Sequence, residues 1–194
     1  MAWRRQSAAM LLSPGKLLDL AFANPVNAEI LRRLPALEAP QAHLVAGCLF
    51  QAVWNHRDGR APAWGVKDYD VFYFDDTDLS WDAEDAVIRR ADVLFADLGV
   101  TVEVRNQARV HLWYPEHFGE PYPRLTSARD GIDRYLIACT CLGIAADGEV
   151  YAPDSLDDLW EGRLRMNPRQ PQPRLFPAKA ESYRARWPWL SIVG

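Results

Sequence analysis

Lys67-Asp68-Tyr69-Asp70-Val71-Phe72-Tyr73-Phe74-Asp75 reads as a strand, because β-branched and aromatic residues fill it in alternation. Tyr69, Val71 and Tyr73 fall on one side, and Asp68, Asp70, Phe72 and Phe74 on the other. Carboxylates at i and i+2 of a strand point the same way and lie close together. Like charges so placed repel unless a cation sits between them, so Asp68 and Asp70 form a candidate Mg²⁺ or Mn²⁺ site. The spacing alone is weak: 17 Asp in 194 residues give roughly 1.5 such pairs by chance, and Asp76 and Asp78 make a second. Context separates the two. Asp76 and Asp78 sit in a polar run with Asp75 and Thr77, where solvated loop acids are expected. Asp68 and Asp70 open an otherwise apolar strand, on which an unpartnered carboxylate is costly.

Upstream, His43-Leu44-Val45-Ala46 reads as a short strand running into Gly47. Leu49, Phe50, Val53 and Trp54 then recur at helical spacing up to His56, and Gly59, Pro62 and Gly65 mark a loop. A glycine at a strand-to-helix turn can cradle phosphate on free backbone amides; it can equally be only a turn. Downstream, Ser80 caps a helix from about 81 to 97, with Asp82, Glu84 and Asp85 in its first turn and Gly99 as its stop. Val100 to Val104 is a second strand on which Glu103 alternates with apolar neighbours. Glu103 is either a third acid, serving a second cation or acting as a base toward a hydroxyl, or an edge-strand surface acid. A helix is expected from Asn106 to His117, with Gln107 and His111 sharing a face and Asn106 and Arg109 flanking it. That cluster could hold phosphates or supply a base; capping by Asn106 and a structural His111 account for it equally well.

Residues 15–34 are expected to be helical, interrupted at Pro25. Ser127 to Asp130 starts a helix to about 138, a hairpin spans 139–152 around Asp147-Gly148, and Asp154 to Trp160 forms a short helix. A charged helical stretch near 178–187 precedes Trp187-Pro188-Trp189, which reads as core packing, with an exposed apolar patch for a partner as the alternative. Helices and strands alternate through the chain, so the fold class is mixed α/β.

With 49% hydrophobic and 25% charged residues, the chain is neither disordered, fibrous nor a disulfide-stapled miniprotein. Its length fits one domain over 1–194, with a core about 28–125 and an extension about 126–194. A net charge of -4 argues against general nucleic-acid binding. Lys occurs only at 16, 67 and 179, against 19 Arg; codon usage explains most of that bias, although Arg suits carboxylate and phosphate. Cys48, Cys139 and Cys141 show no metal spacing and fit a reducing compartment. Cys48 opens a helix, where thiol pKa falls, but no base for a nucleophile is evident. Met1 to Leu12 imitates a signal peptide, yet Pro14, Gly15 and Lys16 cut the apolar run short. With no run long enough for a membrane helix, a cytoplasmic location and no membrane partner are expected. Hydrolase elbows, Walker loops, dinucleotide fingerprints and zinc-protease helices are missing from the sequence.

Three strings carry a resemblance: Ala46-Gly47-Cys48-Leu49-Phe50-Gln51-Ala52-Val53-Trp54, Lys67 through Asp75, and Val102-Glu103-Val104-Arg105-Asn106-Gln107-Ala108-Arg109-Val110-His111-Leu112-Trp113. In this order they resemble the nucleotidyltransferase fold of the DNA polymerase β superfamily, and more narrowly a bacterial nucleotidyltransferase-like family. The resemblance implies an α/β (α+β) fold, a mixed twisted sheet flanked by helices with a C-terminal α/β extension. It further implies Asp68, Asp70 and Glu103 as catalytic and metal-binding acids, with Mg²⁺ (or Mn²⁺) as cofactor. Gly47, Cys48, Lys67, Asn106, Gln107, Arg109 and His111 would lie on the nucleotide. The implied reaction is attack of an unidentified acceptor hydroxyl on a nucleoside triphosphate with pyrophosphate release. The chain departs from the superfamily at Gly47-Cys48, where Gly-Ser or Gly-Gly is usual, at the long Gly47-to-Asp68 stretch, and at Glu103, where Asp is usual. Two alternatives stay open: a catalytically retired nucleotide- or metal-binding module, and a metal-dependent phosphoester hydrolase.

Overall fold

The alternation at Asp68–Tyr73 becomes the second strand of a five-stranded sheet in the computed structural model, which describes residues 11–154 and 156–194. Most of the signal-like stretch, Met1 to Met10, lies outside the described residues. The sheet strands are β1 (His43–Val45), β2 (Asp68–Tyr73), β3 (Thr101–Asn106), β4 (Gly143–Ala145) and β5 (Val150–Tyr151), in the order β3-β2-β1-β4-β5. β2 and β3 run parallel, and the other neighbours are antiparallel. A parallel pair needs a crossover, which α4 (Trp81–Phe95) supplies; Ser80 caps it by accepting from the Ala83 amide at 3.2 Å. The other helices are α1 (Pro14–Phe22), α2 (Pro25–Arg33), α3 (Gly47–Arg57), α5 (Val110–Phe118), α6 (Ala128–Ile132), α7 (Leu156–Glu161) and α8 (Phe176–Arg184). β6 (Arg163–Arg165) and β7 (Ser191–Val193) form a separate parallel pair. This is a mixed α+β fold, with helices flanking a mixed sheet.

Burial follows the alternation on β2: Tyr69, Val71 and Tyr73 are buried, whereas Asp68 is exposed and Asp70 and Phe72 are half-buried. One hydrophobic cluster runs through α1, α2, α3, the sheet and α8. Trp54 and Trp187 are fully buried, and their indole N–H groups find acceptors. Trp54 donates to the Leu159 carbonyl at 3.1 Å and Trp187 to Asn55 Oδ1 at 3.0 Å. Phe50, Trp54, Tyr183 and Trp187 meet mostly edge to face, the geometry their quadrupoles favour. That aromatic cluster fixes α8 against α3, and Trp187 is core, as its sequence suggests.

Three expected elements differ. The helix expected from Asn106 starts only at Val110, because β3 continues to Asn106 in register with Tyr73 and a 3₁₀ turn follows at Gln107–Arg109. The helix expected to reach 138 ends at Ile132. Beyond it the backbone is held sideways: the Asn167 amide donates to the Leu136 carbonyl at 3.0 Å, and Ile137 bridges to Met166. The hairpin forms around Asp147-Gly148, with Gly148 at φ 85°, but its strands begin only at Gly143. Among the described residues, no helix is long and apolar enough to cross a membrane.

Candidate active site

A cavity of about 580 Å³ lies where three elements converge. Lys67, Asp68 and Asp70 face it from β2 and its entry, and Gly47, Phe50 and Gln51 from the start of α3. Lys179, Ser182, Tyr183 and Arg186 form the opposite side on α8 and the turn after it, and Tyr135 joins them. The turn into α3 is strained: Ala46 adopts φ 58° and ψ -120°, a region in which a non-glycine residue costs on the order of 1–3 kcal/mol. This conformation starts the helix abruptly at the end of β1. Leu49 and Phe50 N–H turn back to the Ala46 carbonyl at 3.0 and 3.2 Å. Helix-end geometry leaves the amides of Gly47 and Cys48 as open donors. A Cβ on Gly47 would stand 3.0 Å from Gln51 Nε2, so a side chain here requires the end of Gln51 to move by a few tenths of an ångström.

The carboxylates of Asp68 and Asp70 accept no hydrogen bond from any described residue. Burial, then the charges of Asp68 and Glu103, push the Asp70 carboxyl up to about 6, against weaker pulls from Arg105 and Lys179. Glu103 stands opposite Asp70 in the parallel register of β2 and β3. Its carboxylate leans on Arg105 at 3.5 Å, and its side chain is 44% exposed. No group of three or more His, Cys, Asp or Glu among the described residues is arranged to hold a metal ion. The protein therefore brings two carboxylates to the cavity, with the third acid beside them on the neighbouring strand.

Of the other residues picked from the sequence, Gly47 and Lys67 line the cavity. The Asn106 cluster lies outside it, because its polar groups close the junction between β3, α4 and α6. Asn106 N–H donates to Glu84 Oε1 at 2.8 Å, and its side chain accepts from the Ala108 amide at 3.0 Å. Arg109 forms a buried ion pair with Glu84 and donates to the Leu79 carbonyl at 3.0 Å. Gln107 packs against Gly131, leaving no room for a Cβ there, and His111 keeps a buried Nδ1 with no hydrogen-bond partner among the described residues. Cys48 is fully buried, and its thiol donates to the Val45 carbonyl at 3.6 Å. Burial and the nearby Asp70 raise its pKa well above the usual thiol value, the reverse of activation at a helix start. Asp76 and Asp78 stay in the loop, where Asp78 Oδ1 accepts from the Ser80 amide at 2.8 Å.

The α8 side was not anticipated. Positions 179, 182, 183 and 186 have the i, i+3, i+4, i+7 spacing of one helix face. Together Lys67 and Lys179 account for two of the chain's three lysines. A search for polar residues on a single helical face would have found that stripe.

The profile of the family described as Nucleotidyltransferase matches residues 32–192. The chain belongs to the nucleotidyltransferase family. In this chain the matched span opens within α2 and closes within β7, so it includes the acidic strand, the α3 turn and the α8 side of the cavity. One solved structure, described as an NMR structure that reveals a CCA-adding enzyme head domain, shares the fold at a TM-score of 0.73. It is 22% identical and covers 93% of this chain and 95% of its own. No curated protein matches the chain.

Proposed function

We propose that this chain transfers a nucleoside monophosphate from a nucleoside triphosphate to an acceptor hydroxyl, releasing pyrophosphate, with Mg²⁺ or Mn²⁺ bound. The observation that carries this reading is the shared cavity, onto which Asp68, Asp70, the start of α3 and the cationic side of α8 all open. Asp68 and Asp70 fit a cation: their carboxylates repel each other and lack donors among the described residues, and Asp70 holds its proton unusually tightly. Mg²⁺ is commonly held by one or two carboxylates completed by substrate phosphates and water, so two acids suffice. Bound there, the cation would neutralise charge on the phosphates and polarise the phosphoryl group.

The chain's own groups do the rest. Gly47 and Cys48 amides would donate to phosphate oxygens at the positive end of α3. Lys67, Lys179 and Arg186 would meet the remaining phosphate charge. Arg186 is pre-positioned, donating to Gln51 Oε1 at 3.3 Å and the Gly65 carbonyl at 3.4 Å. Glu103 is the proposed third acid: with a cation on Asp70, its carboxylate has a stronger partner than Arg105. Asn106, Gln107, Arg109 and His111 would act through the fold, by fixing the end of β3. The description of the solved neighbour as a CCA-adding enzyme head domain supports nucleotide addition as the chemistry. The retired-module alternative draws on one observation, the lean of Glu103 onto Arg105.

Calorimetry with each of the four nucleoside triphosphates, with Mg²⁺, Mn²⁺ or neither, tests the reading on wild type and on Asp68→Asn/Asp70→Asn. Binding that needs the metal and vanishes in the variant is expected. Metal-independent binding, or binding unchanged in the variant, overturns the site. Pyrophosphate release then separates transfer from phosphoester hydrolysis and from mere binding.

A further inference from the structure

A smaller cavity, of about 200 Å³, adjoins the first, and the transfer reading leaves it unused. Tyr135, Lys179 and Tyr183 line both, so these three side chains form the wall between them. Behind that wall Leu136 and Ile137 make the lining apolar. Two polar side chains there are already engaged: Arg134 donates to Gln170 Oε1 at 2.7 Å, and the Thr140 hydroxyl to the Ile137 carbonyl at 2.7 Å. The Tyr135 hydroxyl is different. It is buried and has no hydrogen-bond partner among the described residues, a costly state that an acceptor on a ligand would relieve. Burial, then the Asp70 charge, push its pKa well above the usual phenol value, so it stays a neutral donor. Its backbone is fixed, because the Asn167 side chain donates to the Tyr135 carbonyl at 2.8 Å and the Asn167 amide to the Leu136 carbonyl at 3.0 Å. The ring rests on Phe72, two residues from Asp70 on the same face of β2, nearly parallel with centroids 5.9 Å apart. Packing alone therefore holds the ring in the wall.

We propose that the smaller cavity takes the base of the bound nucleoside triphosphate, and that Tyr135 is the residue that tells a nucleotide from its bare phosphates. Its ring turns aside on the fixed backbone, the two cavities join, and its hydroxyl donates to an acceptor on the edge of the base. The inference rests on the transfer reading. Phosphates belong in the larger cavity, with the acids, the α3 amides and Arg186; behind the wall, the Arg134 guanidinium is already taken. A flat ring with acceptors on its edge suits an apolar lining flanked by two tyrosines and a single free donor. The size agrees: a cavity of roughly 150 Å³ already admits benzene, so this one has room for a heterocyclic ring even before Tyr135 moves.

Calorimetry on the full chain with Mg²⁺, comparing the four nucleoside triphosphates with inorganic tripolyphosphate, tests this, because tripolyphosphate has the phosphates but no base. At least one nucleotide should bind wild type more tightly than tripolyphosphate does. Tyr135→Phe should weaken that nucleotide roughly threefold to tenfold, the worth of one neutral hydrogen bond, and leave tripolyphosphate unchanged. It should also unfold at no lower denaturant concentration than wild type, since the hydroxyl it removes has no partner among the described residues; a structural hydroxyl would do the reverse. Leu136→Phe, which adds bulk to the smaller cavity, should repeat the selective loss. Equal affinity of wild type for every nucleotide and for tripolyphosphate overturns the proposal while leaving the transfer reading in place. So does a Tyr135→Phe chain that binds the nucleotide as tightly as wild type. If neither nucleotide nor tripolyphosphate binds wild type with the metal, the transfer reading fails and the proposal with it.

Discussion

Asp70 and Glu103 face each other across the parallel pairing of β2 and β3, the first half-buried in the cavity and the second turned 3.5 Å from the Arg105 guanidinium. Together with Asp68 and burial, this neighbour holds the Asp70 carboxyl up to about 6. A carboxyl with a raised pKa binds its proton more tightly when folded, so its favourable contribution is full below the unfolded value and lost as pH rises through about 6. Asp70→Asn is therefore expected to stabilise the metal-free protein at pH 7 by about 1–3 kcal/mol. The advantage should close between pH 6 and pH 4. Urea melts across that range check it; equal stability of the two proteins at pH 7 would refute it. His43, whose burial lowers its pKa, slopes the other way in both proteins and cancels in the difference.

The same comparison with added Mg²⁺ reverses the order. A cation that binds only the folded pair stabilises wild type by mass action, while Asp70→Asn loses that gain. Thermal melts at rising Mg²⁺ should show a shift of several degrees in wild type and little in the variant. Equal shifts would place the cation elsewhere.

Glu84 and Arg109 form the buried ion pair that ties α4 to the turn after β3, and Glu84 also accepts the Asn106 amide. Glu84→Gln leaves the Arg109 charge without its counter-ion and is expected to cost about 3–5 kcal/mol. Chemical denaturation reads this directly. A loss below about 1 kcal/mol would mean that water already satisfies Arg109.

The acidic strand was legible because alternation, aromatic content and the Asp68-x-Asp70 spacing agree at one place. The Asn106 cluster was legible as polar and, through capping by Asn106 beside a structural His111, as structural; that it closes the junction of β3 and α4 was not, since only Glu84, 22 residues upstream in sequence, reveals it. β6 and β7 are Arg-Leu-Arg and Ser-Ile-Val, too short to alternate visibly. Their pairing depends on Gly162, at φ 70° and packed so closely under Trp189 and Leu190 that a Cβ would collide with both. The α8 side depends on the packing of Trp54, Tyr183 and Trp187, which brings residues over a hundred positions apart to one cavity.

The turn at Ala46 carries a conformation that glycine adopts freely. Ala46→Val puts a β-branched side chain there, where positive φ is a genuine outlier, and should destabilise by about 2 kcal/mol or more. Ala46→Gly should be near neutral, because relief of strain offsets the added freedom of the unfolded chain. Denaturation midpoints of the pair check this. A Val variant as stable as wild type would show that the turn relaxes elsewhere.

Lys179 and Arg186 share the α8 face of the cavity but are held differently. Arg186 is half-buried, stacks on Tyr183 and Trp187 with ring-centroid distances of 5.3 and 4.5 Å, and is fixed by Gln51 and Gly65. Lys179 is exposed, with its ammonium 5.2 Å from the Tyr183 ring centroid. If both meet the triphosphate, each removes a charge-assisted bond of about 1.5–3 kcal/mol when neutralised, or roughly tenfold to a hundredfold in affinity. Lys179→Gln should show that loss in metal–triphosphate calorimetry with stability unchanged, because its side chain is solvated. Arg186→Gln should lose affinity and some stability together, and Arg186→Lys should recover the charge but not the fixed geometry. A Lys179→Gln chain that binds the triphosphate as tightly as wild type would remove α8 from the phosphate site and leave the α3 amides to hold it.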